Sequence, residues 1–223
     1  MLSISLDAID RQEALRYMGW HGAPDAAMTA LLDKCEQQLL AAAQPKAAFR
    51  VLPLKQKEGA LYADMLPLSG RDIAALLTGC DRVILMAATL SGQTDTLIRR
   101  AEAIDMTQAL ATDALASAGI EQVCNRAEEQ SRMQLPDVYF TWRYSPGYGD
   151  FPLTVQPQIL AILDAARQLG LTVTPESILI PRKSVTALIG LSDRPPGHQA
   201  RGCTTCRMRK TCAFRKNGTR CNH

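Results

Sequence analysis

Eight consecutive residues, Arg143-Tyr144-Ser145-Pro146-Gly147-Tyr148-Gly149-Asp150, carry most of the chemistry this chain can offer a small ligand. A guanidinium at a strand end can take a carboxylate through two parallel hydrogen bonds. Pro146-Gly147 turns the chain, and glycines at 147 and 149 let a ligand lie against backbone. Tyr148 adds an aromatic face with a polar tip, suited to a purine or a sulfonium cation. Taken alone, the same string also reads as a turn closed by a salt bridge.

Two further groups stand out. Asp113, Ser117 and Glu121 recur at helical spacing and form a polar stripe, which composition alone reads as a solvated face. Cys203, Cys206, Cys212 and Cys221 put four thiols within 19 residues. Thiolates at that spacing suit tetrahedral zinc or an iron–sulfur cluster, and the Lys and Arg around them would lower their pKa values. His223 is a substitute ligand, and the plain alternative is a basic tail with incidental cysteines.

Acid–base equipment is scarce. The histidine outside the C-terminal segment is His21, in a Trp-His-Gly turn that suits a surface or capping role. No Ser–His–Asp order, no H-E-x-x-H and no carboxylate pair at fixed short spacing is found, so no catalytic residue is assigned. Chemistry here would have to come from positioning. Thr89-Leu90-Ser91-Gly92 joins a strand to a helix where backbone N–H groups could hold an anion, but neither a Walker lysine nor G-x-G-x-x-G accompanies it, and an ordinary β–α connection is the reading kept.

The elements that must position these groups follow from periodicity. Helices are expected over Asp10–Met18, from Pro24-Asp25 to about Ala43 with Cys35 on the apolar stripe, and over Gly70–Leu77 behind Ser69 as cap. Gln93–Ala103 and a long helix to about Gln130 follow. The long helix starts at Asp105, with Gln108 completing a capping box, and buries Cys124. Thr154 would cap a helix over Val155–Leu169 ended by Gly170. Strands are expected over Ala48–Leu54, Ala60–Leu66, Val138–Tyr144, Leu171–Val173, Ser177–Ile180 and Ser184–Leu191. Arg82–Ala88 is apolar at every central position and reads as a strand covered on both faces. Helices first and mixed strands later, without a long βαβ repeat, predict an α+β fold with a mixed, largely antiparallel sheet and flanking helices.

The 223 residues are 47% hydrophobic, 21% charged and 5% aromatic, a profile with an aliphatic core. No apolar run approaches the roughly 18 residues a membrane span needs, and Met1–Asp10 has no basic stretch of a secretory leader. Seven cysteines without such a leader point to a reducing, cytoplasmic setting. Of the 25 Lys and Arg, eight lie in Arg194–His223, which has no Asp or Glu, and the other 17 face all 22 acids. Arg194-Pro195-Pro196-Gly197 ends regular structure. The expected division is a body over 1–194 and a basic, cysteine-rich tail over 195–223.

The string Arg143-x-x-x-Gly147-Tyr148, followed by Gly149-Asp150-Phe151-Pro152-Leu153 and later by Pro181-Arg182-Lys183-Ser184-Val185-Thr186-Ala187, resembles the activation (reactivation) domain of cobalamin-dependent methionine synthase, and most of all its free-standing single-domain members. Leu15-Arg16-Tyr17-Met18-Gly19, Ala88-Thr89-Leu90-Ser91-Gly92 and Ile120-Glu121-Gln122-Val123-Cys124 extend the resemblance over residues 8–192. It implies a body that binds S-adenosylmethionine and supports reductive methylation of cob(II)alamin held by a partner corrinoid methyltransferase, such as a core methionine synthase, with a flavodoxin or ferredoxin as electron donor. The implied binding residues are Arg143 at the methionine end, Ser145 in the turn, and Gly147 and Tyr148 against the nucleoside. A helix carboxylate for the amino group falls on Glu121 or on the Asp113–Ser117 stripe.

Two departures bear on that implication. The D-x-H-x-x-G motif of cobalamin-binding domains is absent, so a corrinoid must arrive on a partner. The cysteine tail is absent from the activation domain of the large synthase, and an iron–sulfur centre in it would suit a cobalt that needs an electron. The alternative is a non-catalytic metal-binding adaptor whose basic tail meets an acidic or nucleic-acid partner. Phe214 is the one aromatic residue in the tail, which argues against base stacking and hence against nucleic acid. A chain ending at Asp193 is expected to keep its helix content and lose all bound iron or zinc. Metal analysis of both chains purified without air, with circular dichroism, checks this, and stoichiometric metal in the shorter chain overturns the ligand set.

Overall fold

The computed structural model describes residues 2–195 together with Lys210 and Thr211. Cys203, Cys206, Cys212, Cys221 and His223, and with them nearly all of the 195–223 segment, lie outside the described residues. The order of elements is β1 (Leu2–Ser3), α1 (Arg11–Tyr17), α2 (Ala26–Ala42), β2 (Lys46–Lys57), β3 (Ala60–Ala63), β4 (Leu66–Pro67), α3 (Arg71–Leu76), β5 (Arg82–Thr89), α4 (Gly92–Ile104) and α5 (Met106–Gln134). There follow β6 (Tyr139–Phe140), a 3₁₀ turn (Leu153–Val155), α6 (Gln156–Ile162), α7 (Ala165–Leu169), β7 (Thr172–Val173), β8 (Leu179–Ile180) and β9 (Ser184–Ser192).

Strand β5 has no polar side chain between Val83 and Ala88, and every residue from Val83 to Thr89 is buried. A strand without water on either face must satisfy its backbone on both edges. It does so in the sheet order β4-β3-β2-β5-β9-β6, with β1 beside β2. At one end of β5, Asp81 N donates to Leu191 O and its carbonyl accepts from Leu54 N. At the other, Leu90 N donates to Lys183 O and its carbonyl accepts from Gln44 N. These ends run β5 antiparallel to both neighbours. The pairs β1–β2, β2–β3, β3–β4 and β6–β9 are antiparallel too, and β7–β8 forms a separate small hairpin. The fold is therefore α+β with a largely antiparallel sheet, as periodicity predicts.

The described body divides into two compact units: Met1–Arg50, Leu85–Pro136 and Thr154–Ala187 in the first; Val51–Ile84, Asp137–Leu153 and the segment from Leu188 onward in the second. In the first unit α5 is the axis. Its buried positions are mostly small, including Ala109, Ala111, Ala114, Ala116, Ala118 and Gly119, so α1, α2 and α4 pack closely against it. A Cβ on Gly119 would already stand 3.1 Å from Ile9 Cδ1. Cys35 and Cys124 are buried thiols in this core. Buried Glu36 ties the N-terminal segment to α2: its carboxylate accepts from Ile9 N at 2.8 Å and from Arg11 Nε at 2.6 Å, and Arg11 also pairs with Asp33.

Asp10 and Asp25 cap α1 and α2 as helix-start chemistry suggests. Three local expectations are corrected. Asp105 caps α5 by accepting from Thr107 N and Gln108 N, but the Gln108 side chain does not close the box; it accepts from Lys34 Nζ and donates to Gln38. Thr154 does not cap a single helix. The chain passes through the 3₁₀ turn into α6, then breaks at Asp164, whose left-handed conformation (φ 48°) is one that aspartate tolerates, before α7. Ser69 does not cap α3, which is capped from a distant part of the second unit.

Glu36→Ala should lose about 1.5–3 kcal/mol of stability, because a buried N–H and a guanidinium lose their acceptor together. Urea unfolding should show a lower midpoint with an unchanged slope, and Glu36→Gln, which keeps one oxygen for Ile9 N, should fall between the two.

Candidate functional site

The strand predicted over Val138–Tyr144 is shorter than its alternation suggests, and the reason shapes the site. Tyr139 pairs with Ser192 and Phe140 with Leu191. Thr141 N donates to Gly190 O at 2.9 Å, and the Thr141 hydroxyl accepts from Gly190 N at 2.8 Å. The next contact is Tyr144 with Leu188. Trp142 and Arg143 thus stand opposite Ile189 alone, which is a β-bulge. The extra residue shifts Arg143 out of the strict alternation of the strand. Arg143 is 8% exposed, so its guanidinium is held in a largely desolvated position at the strand end.

Beyond the bulge the chain turns at once. Tyr148 N donates to Ser145 O, Phe151 N to Tyr148 O and Gly147 N to Phe151 O, the last at 2.8 Å. Gly147 (φ +90°) and Gly149 (φ +54°) supply the backbone angles that this double turn needs. The Tyr144 ring is buried and sits edge-on to Trp142 at 5.0 Å and to Tyr148 at 5.7 Å, with Phe151 at 6.3 Å. Tyr148, half exposed, is the outermost ring of this cluster. The segment thus places an aromatic face beside a turn that follows a buried arginine.

The glycines do more for the protein than was expected of them. A Cβ on Gly147 would meet Leu153 Cδ2 at 3.1 Å, and one on Gly149 would run into the Asp72 carboxylate and the Tyr144 hydroxyl. On that side of each Cα the close neighbour is the chain itself. The turn ends at Asp150, whose carboxylate accepts from Arg71 N at 2.8 Å and Asp72 N at 3.0 Å and so supplies the cap of α3. A helix that begins at Gly70-Arg71 with no short polar side chain at its cap position signals such a distant acceptor; which residue supplies it is a tertiary fact.

Glu121 belongs to α5 in the first unit, half buried, whereas Arg143, Ser145, Gly147 and Tyr148 belong to the second. Near Glu121, burial and the Glu13 carboxylate, with Glu121 behind it, push the Tyr17 phenol well above its usual range, and Arg16 lies 4.8 Å from the Tyr17 ring centre. The polar stripe on α5 is not simply solvated. Lys183 Nζ bonds Asp113 Oδ1 at 2.9 Å and Ser117 Oγ at 2.8 Å, so the start of β9 is clamped to α5 by an internal ammonium. Asp95, Asp113, Ile180 and Lys183 are among the residues lining an open cavity of about 330 Å³ in this unit. The one sign of this role for Lys183 in the sequence is its place within the P-R-K-S-V-T-A string.

No group of three or more His, Cys, Asp or Glu side chains among the described residues is arranged to hold a metal ion, and no described helix is long and apolar enough to cross a membrane. No protein-family model matches the chain, and no curated protein matches it in sequence. Its fold does match a solved structure, the MetH reactivation domain bound to AdoHcy, with a TM-score of 0.64 at 17% identity over 86% of this chain and 76% of that one. The fold that the sequence resemblance implies is thus the fold observed.

Gly149→Ala should cost about 2–3 kcal/mol, since the methyl group meets a carboxylate and a hydroxyl at a left-handed backbone position. Gly147→Ala should cost about 1–2 kcal/mol, because the flexible Leu153 can give way. Urea midpoints of the two variants check the order, and the reverse order would show that Asp72 and Tyr144 yield more readily than Leu153.

Proposed function

We propose that this chain binds S-adenosylmethionine at the Arg143–Tyr148 turn and presents its methyl group to a corrinoid carried by a partner methyltransferase. The observation that carries the reading is the joint presence of the R-x-x-x-G-Y turn, with its bulge-set, buried Arg143 and half-exposed Tyr148, on the fold of a reactivation domain. The domain of matching fold is bound to AdoHcy, which is what S-adenosylmethionine becomes when it gives up its methyl group.

On this reading Arg143 takes the ligand carboxylate, Ser145 and Gly147 border the ligand backbone-first, and Tyr148 lies along the nucleoside or beside the sulfonium. The helix carboxylate for the amino group is Glu121 or the Asp113–Ser117 stripe, where Asp113 and Ser117 also bond Lys183. Methyl transfer breaks the carbon–sulfur bond with its electron pair going to sulfur, so the sulfonium leaves as a neutral thioether. A strong nucleophile on the partner and a good leaving group need alignment and exclusion of water, and no protein base. The scarcity of histidines fits that demand.

The wider setting belongs to the same proposal: a core methionine synthase or related corrinoid protein as partner, a flavodoxin or ferredoxin as electron donor, and a reducing, cytoplasmic environment in keeping with free Cys35, Cys80 and Cys124. Cys203, Cys206, Cys212 and Cys221 are proposed as ligands of one zinc ion or iron–sulfur cluster, a donor set of soft thiolates that suits either.

Titration calorimetry with S-adenosylmethionine tests the reading. The natural chain should bind, and Arg143→Ala should weaken binding by about 1.5–3 kcal/mol, or about 10- to 150-fold. Unchanged affinity in a folded Arg143→Ala variant removes Arg143 from the site, and absence of binding by the natural chain overturns the reading as a whole.

A further inference from the structure

The turn that carries Gly147 and Tyr148 is fixed at both ends by different means. At its start the bulge sets Arg143 and Tyr144 against β9. At its end the Asp150 carboxylate ties it to α3: Oδ2 accepts from Arg71 N at 2.8 Å and Oδ1 from Asp72 N at 3.0 Å, across 79 and 78 residues of sequence. Helix α3 has no side-chain cap of its own, since Gly70 stands at the cap position. Gly70 is there for Asp150. At φ +133° a Cβ would lie 2.8 Å from Asp150 Oδ1 and 3.1 Å from its carbonyl oxygen. One residue earlier, the Gly149 Cα faces the Asp72 carboxylate and the Tyr144 hydroxyl, so the first two residues of α3 seat both Gly149 and Asp150. Tyr148 comes next, with its ring edge-on to Tyr144 at 5.7 Å.

We propose that Asp150 is a positioning residue for the ligand-binding turn, which by capping α3 across the fold holds Gly147 and Tyr148 in the conformation that a ligand meets. The inference rests on the binding reading above and adds to it a residue that need not touch the ligand. A turn anchored at one end samples more conformations, and binding must then include the entropy of ordering it. Anchoring at both ends leaves that ordering already done. The Asp150–Arg71 ion pair contributes little, because Arg71 is almost fully exposed at 3.9 Å; the tie to α3 comes from the two backbone N–H bonds.

Two measurements on the full chain decide the matter. By calorimetry with S-adenosylmethionine, Asp150→Ala should weaken binding by about ten-fold, within the range that loss of a helix cap allows. Asp150→Asn, which keeps one acceptor oxygen of the two, should recover the affinity only in part and fall between Asp150→Ala and the natural chain in both binding and quenching. Glu36→Ala, which loses stability in the first unit without touching the turn, should bind like the natural chain. In a Trp20→Phe background, acrylamide quenching of Trp142, which packs edge-on against Tyr144 at 5.0 Å, should rise in Asp150→Ala without any ligand present. Natural affinity and natural quenching in Asp150→Ala overturn the proposal. Should Asp150→Ala not fold, the Asp150→Asn variant decides through quenching, where release of Trp142 above the natural level is expected and its absence overturns the idea. Should the natural chain not bind S-adenosylmethionine, the function reading falls and the ligand-free quenching still decides whether Asp150 positions the turn.

Discussion

Much of the structure follows from one constraint: β5 is buried along its length and carries no polar side chain through its middle, so its backbone groups must be paired on both edges. That demand places β2 on one side and β9 on the other, and it makes the segments at the strand ends the places where the chain can begin to do something else. At the Leu90 end, Lys183 O is held by Leu90 N, and the same residue sends its ammonium to Asp113 and Ser117 on α5. At the Asp81 end, Leu191 is fixed, which in turn fixes the register of β6 and the residues that follow it. Burial of an apolar strand thus reaches outward, by backbone pairing, to both polar regions.

Those regions divide the labour differently. In the first unit, α5 achieves close helix packing with alanine and glycine, and Asp113 and Ser117 of its polar stripe bond a lysine from the start of β9. In the second unit the polar atoms hold backbone: Thr141 bonds both groups of Gly190, and Asp150 bonds the start of α3. The one aromatic ring of that turn left half exposed is Tyr148, its neighbours Tyr144 and Phe151 being buried. An arrangement with fixed backbone, one desolvated guanidinium and one presented ring suits a protein that orients a reactive ligand and leaves bond-making to the reactants.

Most of this architecture was legible in the sequence because it depends on local periodicity. The apolar run of Val83–Ala88, the stripe on α2 and the cap at Asp105 each announce themselves within a few residues. What was not legible depends on partners far away in the chain. Ser69 looked like the cap of α3 because a side chain next door is the usual source; Asp150, nearly eighty residues on, does the work. Gln108 has the spacing for a capping box but meets a better partner in Lys34. The break at Asp164 divides a pattern that alone supports one helix. In the candidate site, the chemistry of Arg143 and Tyr148 could be read from residue type, whereas the bulge, the clamp by Lys183 and the seat of Gly149 against Asp72 could not.

The bulge opposite Ile189 has a consequence for how this site is written in the chain. Between Thr141 and Tyr144 the strand spends one residue more than its partner does between Gly190 and Leu188. A regular ladder is one deletion away, and it would be easily formed, since its hydrogen bonds are the ordinary ones. In that shortened chain every residue type of the turn would survive and Tyr144 would still face Leu188, yet one residue instead of two would stand opposite Ile189, and the local bend and twist that set Arg143 at the strand end would be lost. Part of the specification is therefore a count of residues and not their identity. A chain with all the right letters and one residue fewer would lose the bend that this turn starts from.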